Sequence, residues 1–227
     1  MKRKIFFILI LVIGLLFSGC VTFAPPSPMV TFGGPVTTPK GTSETALAFG
    51  SAGALFEGSH SGGIGWFGRY KYGLCEKFDL GFDAIGFTHS DNSTFTAKVA
   101  ARYQLRNNLR LEGGVGIADD SDGKSVNSDL GLTLGTPENE NPWNTYATLR
   151  FGYAIGLPGN AVFSDDESDS IAPPDAGIVI LNIGRQGRIN GNMKFIFEGG
   201  WGYIYPYNHK PGVALYLACG MLFNIGK

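Results

Sequence analysis

Charged side chains stand at alternate positions inside otherwise apolar segments of this 227-residue chain. The basic ones are Arg69, Lys71, Lys98, Arg102, Arg110, Arg150 and Lys194, and the acidic ones are Asp79, Asp83, Glu112, Asp129 and Glu198. Both signs on one face of a ribbon point to mutual pairing in an enclosed space, because a buried charge without a partner is strongly destabilising. The chemistry they suggest is electrostatic filling of an interior, not bond making.

Other reactive residues carry less. His60, His89 and His209 could together ligate a transition metal, but no two have ligand spacing, so no metal is assigned. His89 is followed directly by Ser90, then Asp91 and Asn92. A nucleophile needs its base on the same face, and adjacent strand residues face opposite ways. No catalytic residue is therefore assigned, and the chain is read as not an enzyme. Asp120, Asp122, Gly123 and Asp129 match part of a calcium loop, but Ala118 stands where the first ligand belongs. Gly62-Gly63 and Gly199-Gly200 fall within strands, where they relieve crowding and allow curvature; they are not phosphate loops. Cys75 and Cys219 are read as unpaired thiols. No motif implies a cofactor.

Composition narrows the class. Glycine accounts for 34 residues, and charged residues make up 16%, against about 25% in ordinary soluble domains. A formal net charge of −1 excludes a general nucleic-acid binder, and 3 cysteines exclude a disulfide framework. Beyond the first segment, no apolar run is long enough for a transmembrane helix.

The elements that position the charges repeat with period two. In the clearest segment, Phe95, Ala97, Val99, Ala101, Tyr103 and Leu105 point one way while Thr96, Lys98, Ala100, Arg102 and Gln104 point the other. Successive strand side chains alternate between faces, so this pattern predicts a strand of fixed register. The same pattern runs through Ile64–Tyr72, Phe78–Ala84, Leu109–Ile117, Val126–Leu134, Asn144–Ile155, Met193–Tyr203 and Val213–Ile225. Thr45–Leu55 is Ala- and Gly-rich, and Gly177–Arg185 is apolar on both faces near Ile178 to Leu181. The total is about ten strands, an even number.

Gly73–Lys77, Arg106–Asn108 and Gly187–Asn192 read as short turns, with Thr136–Pro142 somewhat longer. The alternate connections are 56–62, 88–92, 119–124, 157–175 and 205–211. They are acidic: Glu57, Asp91, Asp119, Asp120, Asp122, Asp165, Asp166, Glu167, Asp169 and Asp175 outweigh Lys124 and Lys210. Divalent cations with oxygen ligands would suit them as partners. Short turns at one end and longer loops at the other are the layout of an up-and-down barrel.

Three features favour lipid outside. The polar face is mostly small residues, its charges carry both signs, and aromatics sit at the ends of the apolar face. These are Tyr70, Tyr72, Phe78, Tyr103, Trp143, Tyr153, Trp201 and Tyr203. The expected fold is all-β: a closed antiparallel up-and-down transmembrane β-barrel over residues 43–227. The region resembles the small bacterial outer-membrane barrels in architecture. That resemblance implies outer-membrane lipids and the barrel assembly machinery as partners, with no nucleic acid. Barrels of that class commonly end in Phe; here Phe223 and Ile225 keep the phase and Lys227 is last.

The N-terminus reads as an address. Lys2, Arg3 and Lys4 precede an apolar run from Ile5 to Phe17, the layout of a signal peptide over residues 1–19. Phe17-Ser18-Gly19-Cys20 resembles a bacterial lipoprotein box, which implies lipidation of Cys20 after cleavage. Val21 in the next position implies, by the same resemblance, sorting to the outer membrane. Residues 20–42 carry Pro25, Pro26, Pro28, Pro35 and Pro39 with Gly33, Gly34 and Gly41, and are expected to form an extended tether.

The expected function is an outer-membrane barrel lipoprotein, structural or narrowly permeable, with a largely filled mixed-charge lumen. Two alternatives are a lipid-anchored periplasmic lipocalin-like barrel holding an apolar ligand, and an outer-membrane lipid-modifying enzyme.

Overall fold

The structure is a computed structural model that describes residues 30–56, 59–89, 92–120, 123–136, 143–157, 175–206 and 211–226. Its elements are β1 (Ser43–Phe56), β2 (Ser59–Cys75), β3 (Phe78–His89), β4 (Asn92–Arg106), β5 (Leu109–Asp120), β6 (Gly123–Gly135), β7 (Trp143–Leu157), β8 (Ala176–Asn190), β9 (Met193–Pro206) and β10 (Gly212–Ile225). Each pairs antiparallel with its sequence neighbours, and β1 pairs with β10 from Ser43↔Ile225 to Leu55↔Val213, closing the barrel. Closure leaves no strand edge unpaired, which a hydrocarbon surrounding requires.

The alternation decides the two faces. Large apolar side chains point outward and stay exposed: Phe49 at 69%, Ile64 at 72%, Val99 at 60% and Val115 at 62%. The charged residues of the opposite phase are buried inside, among them Arg69, Asp83, Lys98, Arg102 and Glu112. A lipocalin-like barrel needs the reverse arrangement, so that alternative does not describe this chain. Outward aromatics cluster at both rims: Tyr70, Tyr72, Tyr103 and Trp143 at the turn end, Tyr153, Trp201, Tyr203 and Tyr205 at the other. Gly177–Arg185, ambiguous in sequence, resolves within β8: Ile178 and Ile180 point inward and Leu181 outward.

The turn end is tight. Glu76-Lys77, Asn107-Asn108 and Gly191-Asn192 connect β2–β3, β4–β5 and β8–β9, each beside a register shift at Gly73/Cys75, Gln104/Arg106 or Arg188/Asn190. A bulge next to a turn lets the strands keep their twist through a short connection.

Two expectations are corrected. Segments 56–62, 88–92 and 119–124, expected as loops, are mostly strand: β2 begins at Ser59, β3 runs to His89, β4 starts at Asn92, β5 reaches Asp120 and β6 starts at Gly123. Ladder hydrogen bonding continues after the apolar alternation stops, because main-chain pairing does not need an apolar face. His60 and His89 thus stand in strand ends opposite Leu55 and Asn92. His209, with the acidic residues at 57, 91, 122 and 165–169, lies outside the described residues.

The second correction concerns the tether. Residues 30–42 lack strand structure beyond one bridge between Lys40 and Gly73. They do not run free of the barrel, however: Thr31 and Phe32 are 0% exposed and sit among inward side chains of β2, β7, β8 and β9. The main chain of this segment finds acceptors and donors inside the lumen, which a pattern of side chains does not announce. Residues 1–29, which hold the expected signal peptide and the expected lipidation site Cys20, lie outside the described residues.

Candidate functional site in the barrel lumen

Cross-strand register brings opposite charges face to face. Arg69 stands opposite Asp83, Asp79 opposite Arg102, Arg102 opposite Glu112, and Glu44 opposite Lys71. Arg69 grips Asp83 with two bonds, Nε to Oδ1 at 2.6 Å and Nη2 to Oδ2 at 2.7 Å. Such paired guanidinium–carboxylate contacts are the strongest the side chains offer.

From there the pairing closes on itself. Asp83 meets Lys98 at 3.7 Å, Lys98 meets Asp129 at 2.7 Å, and Asp129 meets Arg150 at 2.6 Å. Arg150 also pairs with Glu112, Glu112 meets Arg102 at 3.6 Å, and Arg102 returns to Asp83 at 3.2 Å. The result is a ring of alternating sign across β3 to β7. Arg110 joins it through Glu112 at 2.8 Å, Asp79 through Arg102 at 3.4 Å, and Lys71 pairs with Glu44 beside it. Every member has a neighbour of opposite sign, so the burial cost of each is offset.

Glu198 differs from the expected ion-pair role. Its Oε1 accepts from the Thr31 N–H at 2.8 Å and from the Tyr216 hydroxyl, and its Oε2 from the Phe32 N–H at 2.9 Å and the Tyr146 hydroxyl at 2.6 Å. Four neutral donors hold this carboxylate, and among the described residues it forms no salt bridge. Lys194 lies half-buried near the turn end of β9, in register with Leu222 and Arg188.

Glycines aim the two tyrosines. Tyr146 stands opposite Gly184 and Tyr216 opposite Gly200. A Cβ on Gly184 would lie 2.2 Å from the Tyr146 ring, and one on Gly200 2.1 Å from the Tyr216 ring. Each ring therefore lies flat across its glycine and directs its hydroxyl to Glu198. The same device acts outside, where Trp66 covers Gly86 and Trp143 covers Gly187. Four of the 34 glycines serve this purpose.

Much of the remaining wall is apolar, around the polar Asn182, Gln186 and Glu198. Ile178 and Ile180 of β8, Ile196 and Ile204 of β9, and Ala214 and Leu222 of β10 form one buried cluster with Ala46, Phe67 and Phe32. Phe32 stacks on Phe67 with ring centroids 5.5 Å apart. The lumen thus has an ionic side and an apolar side, with residues 30–38 between them.

Sequence reasoning missed Glu44, Tyr146, Tyr216 and Phe32. Glu44 was legible, since it keeps phase with Ala46 and Ala48. The tyrosines were in the inward phase too, but nothing in sequence tied them to Glu198. An isolated Phe between Pro- and Gly-rich stretches was the only trace of the lumenal segment.

The other expected sites fare as follows. Cys75 and Cys219 are free thiols. Among the described residues no group of His, Cys, Asp and Glu is arranged to hold a metal ion. Asp119 faces Lys124 at 3.6 Å on the exposed rim, and Asp175 accepts from the Gly156 N–H at 3.1 Å. An outward cavity of about 440 Å³ between β1, β8, β9 and β10 is lined by Leu181, Ile183, Trp201, Leu215 and Leu217, and belongs to the apolar belt.

A closed up-and-down barrel with apolar residues outward and charges inward defines the class, the β-barrel of the outer-membrane type. No family model matches the chain, and no curated protein matches it. Among solved structures, the chain is similar to an outer-membrane channel from Pseudomonas putida F1, with 11% identity, a TM-score of 0.49, and coverage of 86% of this chain and 100% of that one. It is also similar to the outer membrane protease OmpT from Escherichia coli, at 11% identity and TM-score 0.46 over 87% of this chain and 100% of that one. A third is the outer membrane protein OprG from Pseudomonas aeruginosa, at 10% identity and TM-score 0.41, covering 84% and 99%.

Proposed function

We propose that this chain is a bacterial outer-membrane β-barrel lipoprotein whose lumen is filled, with a structural or narrowly permeable role. One observation carries the reading. Among the described residues, large apolar side chains dominate the outer face of a closed barrel, while a ring of charged ones is buried within it. Water would penalise that surface heavily, and contiguous apolar patches far smaller than this mark interaction or membrane surfaces. The aromatic rims suit the two lipid interfaces.

In this reading residues 1–19 are a signal peptide, Cys20 is lipidated, and the anchor holds the N-terminus at the same membrane. Outer-membrane lipids and the barrel assembly machinery are its partners. Divalent cations bridge the acidic loops to the anionic lipid surface.

The test is purification with and without detergent, then planar-bilayer recording. The protein should need detergent, run faster on SDS gels before boiling than after, and pass only a small current. Solubility of the folded chain in plain buffer would overturn the membrane placement. A large steady current would overturn the filled lumen.

A further inference from the structure

Residues 30–38 cross the lumen without joining the sheet, and the wall holds them mainly by their main chain. The N–H groups of Thr31 and Phe32 donate to Glu198, that of Gly33 to the Tyr146 hydroxyl at 3.3 Å, and that of Thr38 to Asp79 at 2.8 Å. The carbonyls of Thr31 and Phe32 accept from Arg69, and those of Gly33 and Gly34 from Arg110. Three side chains are held as well: Phe32 is buried in the apolar wall against Phe67, the Thr31 hydroxyl accepts from Asn182 at 2.7 Å and Arg150 at 3.5 Å, and the Thr37 hydroxyl donates to Gln104 at 3.1 Å and the Glu76 carbonyl at 3.3 Å.

Two features mark a seat with an occupant, not a strut. First, the strand ladder is complete without the segment, since all strands pair both neighbours around the closed barrel. The ring of ion pairs also joins wall to wall. Departure of the segment breaks no ladder bond and no ring pair. Second, Phe32 has φ 35° and Gly33 φ 147°. A non-glycine residue in the left-handed region is strained, and persists only where its surroundings impose it. The wall shapes the segment, as a receptor shapes a ligand.

We propose that the lumen is a binding site for a peptide segment that kinks at its aromatic residue, filled in the resting protein by the chain's own residues 30–38. This rests on the reading of the chain as a membrane-inserted, filled barrel. The ligand class follows from the contacts. It offers two consecutive N–H groups to the Glu198 carboxylate, and carries an aromatic residue for the apolar wall. Glycines follow where Arg110 and Gln186 approach: a Cβ on Gly34 would lie 3.1 Å from the Gln186 amide. Anions are excluded at Glu198 by like charge.

The full-length chain, folded in detergent with Cys20→Ser, Cys75→Ser and Cys219→Ser so that no native thiol remains, carries Thr38→Cys as a reporter; Thr38 is 2% exposed. Phe32→Asp, which sets a carboxylate beside Glu198 and the apolar wall, displaces the segment. It should speed maleimide labelling of the Thr38→Cys thiol at least tenfold. A fluorescent peptide of residues 29–40 should then bind the Phe32→Asp protein saturably, and adding Glu198→Gln should weaken that binding at least tenfold. Continued protection of the thiol, or fast labelling with no peptide binding, overturns the proposal. Wild-type hydrogen exchange covers the case in which Phe32→Asp does not fold. Amides of Thr31 and Phe32 should exchange at least a hundredfold faster than the ladder amide of Ala100, and equal rates overturn the proposal. Loss of detergent dependence would instead reject the membrane reading.

Discussion

The Phe32 N–H donates to Glu198 Oε2 at 2.9 Å, across 166 residues of chain. The contact ties the segment before β1 to the penultimate strand, and its acceptor is fixed by Tyr146 and Tyr216. Glu198→Gln keeps the shape but turns an NH2 group toward groups that are themselves donors. Leaving buried donors unmet costs about 1–3 kcal/mol. Urea unfolding in detergent, followed by tryptophan fluorescence, should show a loss of that size with the barrel still formed.

The alternating ring predicts a larger effect at Asp83, which with Glu112 is one of its two most connected acids. Asp83 serves Arg69, Arg102 and Lys98 together. Asp83→Ala leaves three buried cations short of their partner. Removing one member of a buried pair typically costs about 3–5 kcal/mol. The temperature at which the unboiled gel band converts to the unfolded one should fall by many degrees; an unchanged value would show that water reaches these groups.

The outward face has its own prediction. Val99 lies near the middle of β4 and is 60% exposed. In lipid, Val99→Arg should cost about 2–4 kcal/mol, while Leu74→Arg at the turn-end rim should cost about 0–1 kcal/mol. Refolding titrations into vesicles measure both. Equal, small effects would indicate water on that surface.

Gly184→Ala tests the aim of Tyr146. The new methyl meets the ring at 2.2 Å, so the ring must swing away and its hydroxyl leaves Glu198. Overpacking of this kind costs about 1–3 kcal/mol. Gly200→Ala should do the same through Tyr216, whereas Gly191→Ala, with open space at its turn, should leave the unfolding midpoint unmoved.

The strands were legible because alternation is a side-chain property, and Phe95 to Leu105 carries it without interruption. So was the inward set of charges, since Arg69, Asp83, Lys98 and Arg102 share one phase. The ring was not legible, because it depends on register between strands, which sequence fixes only loosely. The reach of β2, β3 and β5 past their apolar stretches was hidden for a related reason: ladder bonds leave no mark on residue type. Least visible was the lumenal segment. Its contacts run through N–H and C=O groups that every residue owns, and prolines argued for an open tether. Only Phe32 gave a sign, and one aromatic residue does not specify where it goes.

The seam between β1 and β10 joins the two ends of the sheet, Ser43 to Ile225 and Leu55 to Val213. Contacts so distant along the chain form late and slowly. While that flank is still open, the residues leading into β1 can slip between the walls sideways. Once it zips, they can enter only end-on, through an interior already crowded with guanidinium and tyrosine side chains. A lumen filled before this seam closes avoids that narrower way in, and it is the position of β1 at the seam that leaves the sideways entry open.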